Sequence, residues 1–147
     1  IKRPLFLAIV SSHALVAYLN KDEITKPDGY VIEGHVAGGH NAPPRNRKSV
    51  DEEGNPVYTE QDEPDLVKIK NSGSPFWMAG GFANAAKVKE AIEAGAQGVQ
   101  VGSLFALADQ SLGGQRVRAL MSAAHRSGGR AVTGVRDYVC SVLASIS

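Results

Sequence analysis

The sequence predicts an α/β protein built around a parallel β-sheet. Two observations lead to this prediction: four short runs are continuously apolar instead of alternating, and helical patterns lie between them. The starts of these runs are separated by 24, 46 and 22 residues. The first and last intervals fit strand–helix–strand units with short loops, and the middle interval carries an insertion. The four runs are Phe6–Val10, Tyr30–Glu33, Phe76–Ala79 and Gly98–Val101.

Helices are predicted after each of these strands except the second, which leads into the insertion. The first predicted helix begins at His13 and reaches Leu19. Between the last two strands, apolar residues at helical spacing predict another helix, with Asn84 as its N-cap and Gly95 just beyond its end. A further apolar stripe covers residues 117–124 and ends before two glycines.

The insertion, residues 41–65, has four prolines and no sustained apolar period. It carries seven acidic and three basic residues, a net charge of −4. An irregular segment of this length inside a domain is uncommon. Two interpretations remain open: a solvated surface excursion, or a lid over a site, since the segment leaves directly from the glycine-rich end of a strand.

Composition limits the partners that this chain is expected to bind. Sixteen basic and fifteen acidic residues give a formal charge of +1, without the basic excess of a nucleic-acid or membrane-surface binder. No apolar run approaches the roughly 20 residues of a membrane span. The single cysteine, Cys140, lies in an apolar run, is expected in the core, and indicates a reducing, cytoplasmic setting. We therefore expect a small-molecule partner.

The second strand leads into the first candidate site, Ala37-Gly38-Gly39-His40. Adjacent glycines let the backbone turn tightly and approach a flat ligand closely. The histidine that follows could accept a proton at neutral pH, because its ordinary pKa lies near 6.5. Taken alone, the motif is more typical of a turn followed by an exposed or locally bonded histidine.

The third and fourth strands each end in glycine before a helix. Gly80 and Gly81 follow the third strand, and Gly102 and Ser103 follow the fourth. Backbone N–H groups at such turns suit a phosphate group, and two consecutive turns of this kind form the phosphate site of many (β/α)8 barrels. Each turn alone is explained by a short connection, whereas the pair favours phosphate binding.

In their order and spacing these three motifs resemble the nitronate monooxygenase family, called 2-nitropropane dioxygenases in older usage. That family includes flavin-dependent enoyl-[acyl-carrier-protein] reductases. The resemblance covers roughly Pro4 to Ser111 and implies an FMN-binding TIM barrel. Because a complete barrel needs about 250 residues and the chain has 147, we expect the C-terminal half, strands 5 to 8.

This half-barrel would occupy residues 1–128, and residues 129–147 have no assigned role. Four parallel strands without closure would leave two open sheet edges. The chain also begins at Ile1 and not at a methionine. We therefore expect an N-terminal half-barrel elsewhere in a longer protein, or a homo-oligomer. The alternative is a genuine small α/β protein.

The resemblance also assigns roles to individual residues. His40 falls on the catalytic histidine, which removes the substrate α-proton, and Gly38 and Gly39 lie against the isoalloxazine ring. Gly80, Gly81, Gly102 and Ser103 match the FMN phosphate loops. Val36 stands where an acidic residue is usual, Ala42 where glycine is frequent, and Gln110 where the second residue of an acidic pair is frequent, which affects the expected substrate more than flavin binding.

The expected function is FMN-dependent oxidation of nitronates or nitroalkanes with O2. The close alternative is an NAD(P)H-dependent flavin reductase acting on an enoyl thioester, and a third is a non-catalytic half-barrel that binds a phosphate ligand. Glu33, His35 and His40 match no established metal-ligand spacing, so no metal is predicted. His13 is expected at the surface, and His125 near the end of a helix.

Overall fold

A computed structural model of the chain describes residues 3–37, 42–46, 49–106, 108 and 142–145. Five strands form one sheet in the order β1-β2-β3-β4-β5, in which the first four are parallel and β5 is antiparallel to β4. This confirms the predicted α/β class, and the four predicted strands lie within one residue of their expected bounds. The strands are β1 Leu7–Val10, β2 Gly29–Glu33, β3 Phe76–Ala79, β4 Gly98–Val101 and β5 Val142–Ser145.

The strand β5 differs from expectation because it pairs along the outer edge of β4. The sequence predicted that this edge would be open, since residues 129–147 resembled nothing recognisable. In the structure Val142 lies opposite Val101 and Ser145 opposite Gly98. The edge therefore has backbone hydrogen-bonding partners within the same chain.

Two of the four α-helices within the described residues were predicted with their observed bounds. They are α1, His13–Leu19, and α3, Ala85–Glu93. The Ser12 side chain caps α1 by accepting from Leu15 N, and Asn84 caps α3 by accepting from Lys87 N at 3.0 Å. Gly95 follows α3 with φ +101°, the left-handed conformation typical of a residue that ends a helix.

The helix α2, Leu66–Asn71, was not predicted, because six residues are too few to show a clear period. Asp65 begins it by accepting a hydrogen bond from Lys68 N at 3.0 Å. The helix α4 covers Ser103–Ala106 directly after β4. The predicted stripe at 117–124, His125 and Cys140 lie outside the described residues.

The core lies between the helices and one face of the sheet. Parallel register places Tyr30 beside Phe76 and Ile32 beside Met78 on that face. The helices α1, α2 and α3 cover them with three buried side chains, which are Val16, Ile69 and Ala91. The buried Tyr30 hydroxyl donates to Asn20 Oδ1 at 2.8 Å, so its polar atom is satisfied.

The opposite face of the sheet carries Ile9, Val31 and Trp77, which are neighbours in register. Val31 is buried, but 55% of the Ile9 side chain is exposed. Apolar surface is therefore presented on the face that is not part of the main core. Among the described residues, none of the helices is long and apolar enough to cross a membrane.

The importance of α2 to the core can be tested with two substitutions to alanine on this helix. Ile69→Ala should lower the free energy of unfolding by about 2–5 kcal/mol, because the side chain is fully buried and leaves a cavity. Val67→Ala is the matched control, since Val67 is 69% exposed, and it should cost less than about 0.5 kcal/mol. Urea unfolding followed by circular dichroism measures both, and equal losses would contradict this packing.

Candidate functional site

The candidate site lies at one edge of the sheet, where the four parallel strands end. Parallel pairing brings the carboxyl ends of β1 to β4 to the same edge. Gly80 and Gly81 follow β3 there, and Gly102 separates β4 from α4. The structure therefore places both predicted phosphate turns side by side. The Ser103 backbone begins α4, and its side chain lies outside the described part.

Gly80 makes the closest approach between two of the motifs. Its φ is +92°, and a Cβ at this position would lie 3.0 Å from the backbone N and Cα of Ala37. Ala37 is the first residue of the glycine–histidine motif. Gly38, Gly39 and His40 themselves lie outside the described residues. The structure thus joins the turn after β3 to the start of that motif.

Gly81 has a different environment from its neighbour. Its φ is +78°, but a Cβ there would meet no atom of the described residues within 4 Å. The following helix, α3, has no acidic residue in its first turn. The first turn of α3 therefore places no carboxylate where it would repel an anionic group.

Aspartates fold the insertion locally. The Asp51 carboxylate accepts hydrogen bonds from the N–H groups of Glu53 and Asn55, which forms a tight turn. The Asp62 carboxylate accepts from the N–H groups of Arg45 at 2.7 Å and Thr59 at 2.8 Å. These bonds, that from Arg45 first, hold the pKa of Asp62 below its usual range. Part of the acidic charge of the insertion is explained by these turns and caps.

Tyr58 attaches the insertion to both sides of the glycine–histidine motif. Its ring stacks on His35, with the centroids 4.6 Å apart and the planes 12° apart. Its hydroxyl donates to the carbonyl oxygen of Ala42 at 2.9 Å. His35 precedes the motif and Ala42 follows it. Sequence reasoning missed Tyr58, although an aromatic residue within an otherwise polar insertion was the available signal.

The edge of the His35 ring also has a partner in the insertion. Its Nδ1 lies 3.1 Å from Glu63 Oε1. His35 is therefore part of a contact between the segment that follows β2 and the insertion. Within the described ranges, no group of three His, Cys, Asp or Glu side chains could hold a metal ion. The alternative metal set that included His40 falls partly outside those ranges.

A cavity of about 400 Å³ opens beside this contact, at the carboxyl ends of β1 and β2. Ile9 and Ser11 line it from β1 and the loop that follows, and Leu15 lines it from α1. Residues at the end of β2 and residues of the insertion complete the walls, among them Glu33, Pro43 and Tyr58. The insertion thus borders a cavity, as the lid interpretation expects.

The fold is that of an α/β protein with glycine turns at the carboxyl edge of its parallel strands, the edge at which proteins of this class bind ligands. The chain belongs to the nitronate monooxygenase family, whose model matches residues 5–133. The resemblance seen in the sequence is thereby confirmed, and the match includes all three motifs. The family consists of oxidoreductases that are generally flavin-dependent. No curated protein matches the chain.

The contact between Gly80 and Ala37 predicts different tolerances at two adjacent glycines. Gly80→Ala and Gly81→Ala both force a side chain into the left-handed region, at about 1 kcal/mol each. Only Gly80→Ala also pushes a Cβ against the backbone of Ala37. Its loss of unfolding free energy should be at least about twice that of Gly81→Ala. Urea unfolding of both variants measures the difference, and equal losses would show that the close approach does not exist.

Proposed function

We propose that this chain forms the FMN-binding part of a nitronate monooxygenase-like enzyme that oxidises nitronates or nitroalkanes with O2. The observation that carries the proposal is the contact of Gly80 with Ala37. It brings a phosphate-type turn to the start of the Gly-Gly-His motif, at the carboxyl edge where α/β enzymes bind ligands. Family membership supplies the reaction class.

The two strand-end turns fit the phosphate of FMN. Gly81 has open space on the side where a Cβ would stand, so a ligand can approach its backbone closely. Gly102 is followed at once by the first residue of α4, and the N–H groups at a helix start favour an anion. Gly80, Gly81, Gly102 and Ser103 are the residues that we propose hold the phosphate, with Gly38 and Gly39 against the ring.

Bound FMN would supply the redox chemistry, taking electrons from the substrate and passing them to O2. The chain's own contribution is to bind, to orient and to move a proton. His40 is proposed as the general base, with one imidazole nitrogen accepting the α-proton of a neutral nitroalkane. Its position in the sequence, between the Gly80 contact at Ala37 and the Tyr58 bond at Ala42, supports this role.

We further propose that the four parallel strands are strands 5 to 8 of a TIM barrel. A complete barrel of this type has about 250 residues. The face that carries Ile9, Val31 and Trp77 in register would then be the face toward the barrel interior. The other half would come from the same protein or from a second copy. In the complete barrel, the first strand would take the edge of β4 where β5 lies here.

A second candidate activity is favoured by the size of the cavity. Its volume of about 400 Å³ exceeds what a small nitroalkane needs and could accept a longer acyl chain. The second candidate activity is the NAD(P)H-dependent reduction of an enoyl thioester. Anaerobic mixing of the flavin-loaded protein with NAD(P)H separates the two activities, because only the reductase bleaches the flavin absorbance with that donor.

The phosphate assignment can be tested with two glycines of the same backbone conformation. Gly81→Asp should weaken FMN binding by about tenfold or more, because a carboxylate beside the phosphate adds like-charge repulsion. Gly73→Asp is the control, since Gly73 also has positive φ, at +74°, and open surroundings, but precedes β3 at the opposite end of the strand. Fluorescence titration of the intact apoprotein with FMN measures both dissociation constants.

Gly102→Asp should behave like Gly81→Asp in the same titration. Stoichiometric, tight FMN binding in both variants would show that these turns do not bind the phosphate. Loss of FMN from Gly73→Asp as well would attribute the effect to general destabilisation of the fold.

The role of His40 is tested by comparing two substrates, a neutral nitroalkane and the nitronate anion that forms when it loses its α-proton. His40→Ala should retain FMN and lower kcat/KM for a neutral nitroalkane by about 10²- to 10⁴-fold. A preformed nitronate should be affected much less, because its α-proton is already absent. Oxygen consumption measures both rates in the intact protein. Equal, parent-like rates on both substrates would show that His40 is not the base.

A further inference from the structure

We propose that the peptide bond between Asp28 and Gly29 is a site of spontaneous aspartate isomerisation, and that the Arg3 side chain controls its rate. The reaction converts Asp28 into isoaspartate, in which the main chain runs through the side-chain carboxyl carbon. Asp28 directly precedes β2, and the chain contains no other Asp–Gly and no Asn–Gly sequence. The inference is independent of the proposed function, because none of these residues belongs to the glycine or histidine motifs.

Gly29 is required by the packing of the sheet. A Cβ at this position would lie 2.9 Å from the Pro75 carbonyl oxygen and from the Trp77 ring, and 3.0 Å from the Leu7 side chain. Residues of both neighbouring strands, or directly before them, therefore approach the Gly29 backbone closely, and only glycine leaves room for them. The same lack of a Cβ leaves the Gly29 nitrogen unshielded towards the residue that precedes it.

Asp28 is required by the segment that leads into β1. Its Oδ2 accepts a hydrogen bond from the Phe6 N–H at 2.7 Å, and its own N–H donates to the Phe6 carbonyl oxygen at 2.8 Å. The Arg3 guanidinium donates to both carboxylate oxygens, to Oδ2 at 2.7 Å and to Oδ1 at 2.9 Å. A carboxylate at position 28 thus joins the start of β1 to the start of β2. Together the two requirements place an aspartate directly before a glycine.

Isomerisation at this bond needs no reagent except water. The Gly29 nitrogen attacks Asp28 Cγ, a C–N bond forms, and the carboxyl hydroxyl leaves with the N–H proton as water. Hydrolysis of the resulting cyclic succinimide adds the water back at one of its two carbonyl carbons. Attack at the main-chain carbonyl of Asp28 gives isoaspartate, whereas attack at Cγ restores aspartate. Nothing is oxidised or reduced, and the mass of the protein is unchanged.

The clamp formed by Arg3, Phe6 and Asp28 opposes this reaction in two ways. Loss of the hydroxyl requires a protonated carboxyl, and the hydrogen bonds from Arg3 first and then from the Phe6 N–H hold the pKa of Asp28 below its usual range. Attack also requires Cγ to rotate towards the Gly29 nitrogen, and three hydrogen bonds hold the carboxylate oxygens in place. Because 57% of the Arg3 side chain is exposed, this ion pair is the part of the clamp that opens most readily.

Isoaspartate at position 28 would add one methylene to the main chain just before β2. Gly29 lies opposite Leu7 and Tyr30 opposite Phe76, and both Tyr30 and Phe76 are buried in the core. A longer main chain at this point cannot keep both hydrogen bonds to Phe6 and the register of β2. The isomerised protein should therefore unfold at a lower urea concentration than the unmodified protein.

The experiment incubates the intact protein at neutral pH and locates isoaspartate by peptide mapping with electron-transfer fragmentation, which distinguishes the two isomers. Arg3→Ala should isomerise at position 28 about threefold to tenfold faster than the parent, because an exposed but bidentate ion pair is lost. Arg3→Lys keeps the charge without the planar fork and should fall between them. Lys26→Ala is the matched control, since Lys26 lies in the same connection but pairs with Glu23, and it should keep the parental rate.

Two further measurements separate the clamp from the general stability of the fold. In concentrated urea, the parent and Arg3→Ala should isomerise at one common rate, faster than the folded parent. Ile69→Val weakens the core and leaves the clamp intact, so it should isomerise at the parental rate. Equal rates for the folded and the unfolded parent, or for the parent and Arg3→Ala when both are folded, would overturn the inference. Acceleration in Ile69→Val as large as in Arg3→Ala would also overturn it, because global unfolding would then control the rate.

Discussion

The candidate site depends on the close approach of Gly80 to Ala37. A Cβ at Gly80 would stand 3.0 Å from the backbone of Ala37, so close that the Ala37 backbone would have to shift. This approach is available because β2 and β3 are parallel neighbours that end at the same edge of the sheet. One glycine therefore connects the turn after β3 with the segment that leaves β2. The contact places the turn after β3 beside the end of the segment that leaves β2.

The insertion is the second structural constraint on the site. Its net negative charge of −4 suggests a solvated segment, yet its aspartates serve as local caps and turns. Asp62 joins Arg45 to Thr59, and Asp65 begins α2. Tyr58 then joins the folded insertion to His35 and Ala42. The insertion is therefore attached on both sides of the motif, and it borders the cavity.

Much of the fold could be predicted because the signals that determine it are local. Continuous apolar runs identified β1 to β4, and the caps Ser12 and Asn84 lie where the observed helices α1 and α3 begin. The helix α2 could not be predicted, since six residues give no clear period and its stability comes from burial of Ile69. The pairing of β5 with β4 also could not be predicted, because it joins residues more than 40 positions apart.

The sequence by itself determined the class of the protein and its candidate residues, because glycine spacing and apolar runs depend only on neighbours along the chain. The family match over residues 5–133 agrees with that reading. Only the tertiary structure decided which of these residues meet. The contact of Gly80 with Ala37, the stacking of Tyr58 on His35 and the cavity beside Leu15 all join segments distant in sequence. Such contacts arise from the parallel order of the strands and from packing, which no local pattern encodes.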